Sequence, residues 1–318
     1  DGVTVLGALS PSRASDFKAC PLLYRYRTID KLPEAPSAAA VRGIVVHKVL
    51  EDLFDLPATD RTPERAAAMV ASAWESVRAA EPGRTALFAQ DDSEHEAESA
   101  WLESCGSVLS RYFDLEDPRR LEPAEREVYV ETLLDSKLLL RGYVDRLDVA
   151  ADGAIRIVDY KTARSVGEAY EGSALFQMRF YALVIWRIRG VIPRLLRLMY
   201  LGNSEILDYS PDEHDLAATE RVVQAIWEAI REAQLTGDWQ PRKSGTCNWC
   251  SFKPMCPAIS TPTSESRKTL RGPASTGTWF GTTRTVHPAA SADVAPVLES
   301  SIAKQLPGAT PKSAAAVR

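Results

Sequence analysis

The stretch Ile155 to Lys161, IRIVDYK, places an acid and a lysine at the end of an apolar run. Side chains of a strand alternate between faces with period two, so Asp159 and Lys161 point the same way as Ile155 and Ile157. Burying such a pair costs several kcal/mol unless the charges neutralise one another or bind a metal. Just upstream, in GYVDRLD, Asp145 has a similarly apolar setting between Val144 and Leu147. Asp152-Gly153 between the two stretches is a strong hairpin signal, which makes the strands neighbours and lets Asp145 and Asp159 converge. Two carboxylates held together repel each other, and a hard divalent cation such as Mg²⁺ or Mn²⁺ relieves that. The ion would bridge a scissile phosphate and polarise a water, while Lys161 orients or deprotonates the nucleophile and offsets developing charge. A buried Asp–Lys ion pair that only fixes the sheet is the alternative use of the same residues.

Two further pairs have helical spacing. His47 and Glu51 in RGIVVHKVLEDLF share one helix face, as do Gln177 and Tyr181 in FQMRFYALV. His47 is flanked by valines and could equally be a core histidine. Taken in chain order, G-x-x-x-H (Gly43, His47), G-x-V-D (Gly142, Asp145), D-x-K (Asp159, Lys161) and Q-x-x-x-Y (Gln177, Tyr181) resemble the motif series of RecB-like PD-(D/E)XK nucleases, the group that includes the CRISPR-adaptation nucleases. The resemblance implies an α/β fold with a restriction-endonuclease-like mixed sheet flanked by helices. It implies a metal held by His47, Asp145, Asp159 and the backbone carbonyl of Tyr160, with Lys161 as catalytic lysine. Gln177 and Tyr181 would support the site or the DNA, with Glu51 and Asp148 as outer candidates. The reaction implied is metal-dependent hydrolysis of phosphodiester bonds in DNA, by an exonuclease acting on single-stranded ends or flaps in repair or recombination.

Four of the five cysteines form a one-plus-three arrangement: Cys20 far upstream, then Cys247-x2-Cys250-x5-Cys256. Zinc sites more often pair two C-x2-C knuckles, whereas this spacing suits an iron–sulfur cluster. The opening S-x-S…C-P-x-x-Y and the closure C-x2-C-x5-C-P resemble the same nuclease branch, where such cysteines hold a [4Fe–4S] cluster that clasps the two ends of the domain. Arg242, Lys243 and Lys253, with Trp239 and Trp249, could meet DNA beside it. Cys105 lies in a helical pattern and reads as a buried, apolar-like residue.

The elements that must position these residues can be read from periodicity and breakers. A helix capped by Ser10 or Ser12 is expected over 10–27, a Pro/Ala linker over 32–40, and helices over 43–55, 63–81 and 94–114. Strands follow at 128–134, 138–150 and 154–162, then a helix at 173–190, a fourth strand at 195–201, and a helix opened by Ser210-Pro211 that runs to Thr236. That order predicts a helical N-terminal part, a mixed sheet and a C-terminal cysteine clasp, together one nuclease domain over 1–258. Residues 259–318 are rich in Ser, Thr, Ala and Pro and read as a disordered tail.

A net charge of −5 excludes a surface coated with basic residues, but not a positive channel. Two stretches are candidates for it: 172–204, with Arg179, Arg187, Arg189, Arg194 and Arg197 and no acid, and 10–31, with Arg13, Lys18, Arg25, Arg27 and Lys31. Solvated helix faces would account for them as well. No apolar run approaches membrane-spanning length and the N-terminus has no signal-peptide pattern, so cytoplasmic residence is expected. No G-x-x-x-x-G-K-[ST] loop occurs, so any motor would be a separate helicase or repair partner. A non-catalytic nucleic-acid-binding module, or a cluster that senses redox state, would be the other uses of such a chain.

Overall fold

A computed structural model of the chain describes residues 5–88, 94–165 and 168–259, without the side chains of 85–86, 94–95 and 168–171. The tail expected from 259 onward lies outside them except for Ile259. The sheet that carries the fold has six strands: β1 (Gly7–Leu9), β2 (Glu125–Leu133), β3 (Leu138–Val149), β4 (Ile155–Lys161), β5 (Leu195–Tyr200) and β6 (Glu205–Tyr209). Pairing is mixed. β3 is antiparallel to β2 and β4 and parallel to β1, β4 is parallel to β5, and β5 is antiparallel to β6. The helices are α1 (Pro11–Ala19), α2 (Pro21–Tyr24), α3 (Ala38–Leu53), α4 (Pro63–Ala80), α5 (Glu94–Leu115), α6 (Glu168–Arg189) and α7 (Glu213–Thr236). This is the mixed α/β sheet flanked by helices that the motif order implied.

The alternation expected of β4 sorts its side chains into two cores. Ile155 and Ile157 pack with α6 and α7 residues such as Phe180, Leu183 and Trp227. Val158 and Tyr160 pack with α3, α4 and α5, among Val46, Leu50, Trp74 and Leu109. Cys105 is fully buried in that second core, and burial pushes its thiol up to about 11, as expected of an inert apolar-like cysteine.

Local chemistry moved several boundaries. The expected helix over 10–27 breaks at Cys20, whose extended backbone (φ −163°) ends α1 and starts α2, which runs on into a π-helical turn, Arg25–Ile29. Ser10 does cap α1, accepting from the Arg13 amide at 3.3 Å. α3 starts five residues earlier than expected because Ser37 caps it and the Ala38–Ala40 run favours helix. α7 is capped by Asp212 in a capping box with Asp215, not by Ser210. β1 is too short to show periodicity, and β6 is an exposed edge strand, so neither was legible.

The arginine stretch over 172–204 is not a basic channel. Arg187 pairs with Glu220, Arg189 with Glu125, Arg194 with Asp152 (3.0 Å), Arg197 with Asp208 (2.7 Å) and Arg179 with Asp215 (3.9 Å). Carboxylates distant in sequence neutralise what a local count leaves positive. Arg25 and Arg27 are likewise taken by Asp30, Asp16 and Glu34.

Arg146 on β3 is fully buried. Its guanidinium binds both oxygens of Glu116 (2.7 and 2.9 Å), Asp148 (3.1 Å) and the Tyr160 hydroxyl (2.7 Å). Although burial opposes its ionisation, Glu116 is held below its ordinary pKa by Arg146. Removing the cation leaves Glu116 and Asp148 with the half-exposed Arg156 as their remaining counter-charge, 3.7 and 2.8 Å away. Arg146→Met is therefore expected to destabilise the fold by about 3–5 kcal/mol in urea unfolding; a loss under about 1 kcal/mol would show that the acids escape to solvent.

Candidate active site

The site forms where the sheet comes apart. β2 pairs with β3 along one edge, from Leu133↔Leu139 to Glu125↔Leu147. On the other edge β1 covers only residues 138–140 of β3, and β4 covers only 146–149. Residues 141–145 between them have no strand partner on that side. β4 meanwhile continues beside β5 as far as Lys161↔Tyr200. Where the β3–β4 ladder stops, the Asp145 carboxylate takes over and accepts the Tyr160 amide at 2.8 Å.

The alternation of β3 also breaks here. Val144 and Leu147, three residues apart, lie in the same core, while Arg146 between them meets Tyr160 and Phe54 on the other side. Opposite Asp145 in the β2 register stands Glu127, a non-glycine residue with φ +42°. Such a conformation costs on the order of 1 kcal/mol or more, and it clusters at functional sites. It brings the Glu127 carboxylate to 3.6 Å from His47 Nδ1, with Asp145 at 3.5 Å from the same nitrogen. His47, Glu127 and Asp145 each offer a ligand atom within 4.8 Å of the others. Sequence reasoning missed Glu127. Its only signal would have been an acid at the register position facing Asp145, which requires the strand pairing to be known.

The remaining motif residues assemble around this cluster. Lys161 Nζ lies 2.7 Å from Asp159 Oδ2 and donates to Gln177 Oε1 at 2.9 Å. Gln177 returns a hydrogen bond to Asp159 Oδ1 at 3.0 Å. Asp159 is buried, and its Oδ2, despite the nearby ammonium, makes no aligned hydrogen bond. The Tyr181 ring lies against Gly142, where an added Cβ would sit 2.8 Å from Tyr181 Cε1. That close approach explains the glycine of G-x-V-D.

His47 Nε2 and the Tyr160 carbonyl oxygen, both implied as ligands, lie 2.8 Å apart. With a proton on Nε2 this is a hydrogen bond. Hard oxygen donors, an imidazole and a buried carboxylate oxygen with no aligned donor suit a divalent cation. Glu51 lines the cleft beside His47 and is engaged by Lys48 (3.2 Å). Asp148 is drawn into the Arg146 pair and reaches the site only through Arg146 and Tyr160.

Electrostatics follow from burial. Desolvation is the largest influence on Asp145 and, with the Asp159 charge, pushes its carboxyl up to about 7 against the opposing pull of His47. Burial works against the His47 cation, yet Asp145, Glu127 and Asp159 raise it to about 9. Lys161 is likewise raised, burial being outweighed by Asp159. Burial also raises the Tyr181 phenol, so it stays protonated.

The sequence profile of the PD-(D/E)XK nuclease superfamily matches residues 8–257. The chain belongs to that superfamily. The "Gene 69 protein" of Mycobacterium phage D29 is 24% identical over 280 residues, which is 79% of this chain and 96% of that protein. The crystal structure of a candidate exonuclease from Eubacterium rectale has the same fold, with a TM-score of 0.52 at 13% identity. That match covers 83% of this chain and 93% of the other. No helix among the described residues is long and apolar enough to cross a membrane.

The raised pKa values give a signed prediction. Asp145 and His47 both hold protons more tightly folded than unfolded. The metal-free fold therefore loses stability as pH rises from about 4 to 7 through Asp145, and from about 6.5 to 9 through His47. A metal needs both groups deprotonated, so binding releases protons and tightens over the same range. The rise in thermal midpoint on adding Mn²⁺ should grow steadily between pH 6 and pH 9. A pH-independent rise would place the ion elsewhere.

Proposed function

We propose that the chain is a DNA nuclease that hydrolyses phosphodiester bonds with Mg²⁺ or Mn²⁺ held by His47, Asp145, Asp159 and the Tyr160 carbonyl. Glu127 joins this set as a further ligand. The observation that carries the reading is the convergence of all four motifs on one break in the sheet, where the Asp159–Lys161–Gln177 triangle adjoins the His47–Asp145–Glu127 cluster. The bound ion would supply Lewis-acid charge at the phosphate and an activated water.

The residues of the chain do the rest. Gln177 bridges Asp159 and Lys161 and fixes both side chains. Lys161, its pKa raised, keeps its proton at neutral pH and offsets phosphate charge rather than acting as a base. Tyr181, protonated and packed on Gly142, walls the same cleft. Single-stranded ends or flaps are the proposed substrates, with DNA unwinding left to a separate helicase or repair partner.

The second part of the proposal is a [4Fe–4S] cluster on Cys20, Cys247, Cys250 and Cys256. All four line one pocket between α2 and the segment that follows α7. The Arg242 amide lies 3.4 Å from Cys20 Sγ and the Ser244 amide 3.4 Å from Cys247 Sγ, donors suited to ligating thiolates. The segment is seated by Trp239 stacked on Tyr24 (6.0 Å) and Phe252 against Tyr26 (5.1 Å). Trp239 is therefore not free to meet DNA, whereas Trp249 is 89% exposed.

Protein purified without oxygen and incubated with labelled single-stranded, duplex and flap DNA should cut in Mg²⁺ or Mn²⁺ and not in EDTA. Lys161→Ala should lower the rate by about 100-fold or more. No cutting by fully loaded protein that still binds DNA would favour a non-catalytic binding module. Iron and acid-labile sulfide should each approach about four per chain, and Cys20→Ser should lose most of both. Stoichiometric zinc without iron would replace the cluster by a zinc site.

A further inference from the structure

Two clefts flank the catalytic cluster, one lined by Lys161, Gln177 and Tyr181 and the other by His47 and Glu127, and Tyr143 lines both. Tyr143 is 58% exposed although it sits in the middle of β3, next to Gly142 and two residues from Asp145. Its ring leans on Tyr129, its direct partner across the ladder, with centroids 5.3 Å apart and planes at 58°. Tyr129 is steadied by the hydrogen bond its hydroxyl donates to Glu131 at 2.6 Å. A large aromatic held in place by a second, with its outer face in solvent, is preorganised for a planar ligand.

Charge around the first cleft points to what that ligand carries. Arg13, Arg141 and Arg164 line it, and none forms an ion pair with a carboxylate among the described residues. The nearby acid, Asp16, is occupied by Arg27 at 2.7 Å. The arginines of the 172–204 stretch are, by contrast, neutralised. Guanidinium groups without a carboxylate partner beside an exposed aromatic match a phosphate backbone bearing bases that can stack. In a duplex interior both faces of every base are already covered, so only an unpaired base can use such a platform.

We propose that Tyr143, braced by Tyr129, is a stacking post for an unpaired base of single-stranded DNA. Arg13, Arg141 and Arg164 hold the neighbouring phosphates as the strand passes across the cluster between the two clefts. The inference deepens the nuclease reading and rests on it for the nature of the ligand. It makes Tyr143 a specificity-determining residue that selects unpaired strands.

The test is binding of the full chain, in EDTA, to a short labelled oligothymidylate, to an abasic strand with the same phosphates, and to a blunt duplex. Tyr143→Ala should weaken binding to the oligothymidylate by about 5- to 100-fold and leave the abasic strand and the duplex unchanged. Tyr143→Phe should bind as the wild type does. Arg13→Gln and Arg164→Gln should weaken binding to both strands and each lower the salt dependence by about 0.7 in slope. Unchanged binding of the oligothymidylate by Tyr143→Ala, equal weakening on both strands, or a wild type that binds neither strand would overturn the post. Wild-type protein that binds the oligothymidylate through Tyr143 but never cuts it in Mn²⁺ would instead defeat the nuclease reading and leave the post standing.

Discussion

Everything at this site depends on the β3–β4 ladder stopping at Arg146↔Val158 although both strands run on beyond it. Past Arg146↔Val158 the strands are joined by a side chain, the Asp145 carboxylate on the Tyr160 amide. A continuous ladder would have satisfied that amide with a carbonyl and left Asp145 no reason to be buried. Because the ladder ends, residues 141–145 of β3 are open on one edge, and the end of β4 presents Asp159 and Lys161 toward them. The same break accounts for the loss of alternation around Asp145 and for the positive φ of Glu127 across from it. Strain and buried charge are concentrated at one point, and the surrounding sheet holds them there.

That arrangement is unfavourable in isolation, and the neighbouring residues show how it is tolerated. Burial pushes Asp145 toward its neutral form, while the shared negative charge keeps His47 and Lys161 protonated. The cluster thus holds protons that a bound divalent cation would have to displace. Tyr160 joins the two sides of the sheet in this balance. Its amide holds Asp145, its carbonyl meets His47, and its phenol is held by Arg146 in the opposite core. Arg146 with Glu116 and Asp148 therefore supports the site from behind, although none of the three lines either cleft beside the catalytic cluster.

Charge is distributed by the same logic of pairing. With a net charge of −5, the chain pairs many of its arginines with carboxylates, several of them brought from elsewhere in sequence. What remains positive without a carboxylate partner near the site is local: Arg13, Arg141 and Arg164, contributed by α1, β3 and the segment after β4. No window of the sequence contains all three.

The sequence by itself determined the alternation that sets Asp159 and Lys161 on one face of β4, the helix faces of His47 and Gln177, and the order of elements from α3 to α7. These are local properties: period two in strands, 3.6 in helices, and turn residues such as Asp152-Gly153. It also carried the motif series, because those residue types recur at separations that the fold requires. Only the tertiary structure decided that Glu127 stands beside His47 and Asp145, that Cys20 interrupts a helix, that β1 and β6 complete the sheet, and that the basic stretch over 172–204 is neutralised. Each of these depends on which segments become neighbours across tens to hundreds of residues. Strand register, ion pairing and a strained φ are consequences of packing, and no local pattern encodes them.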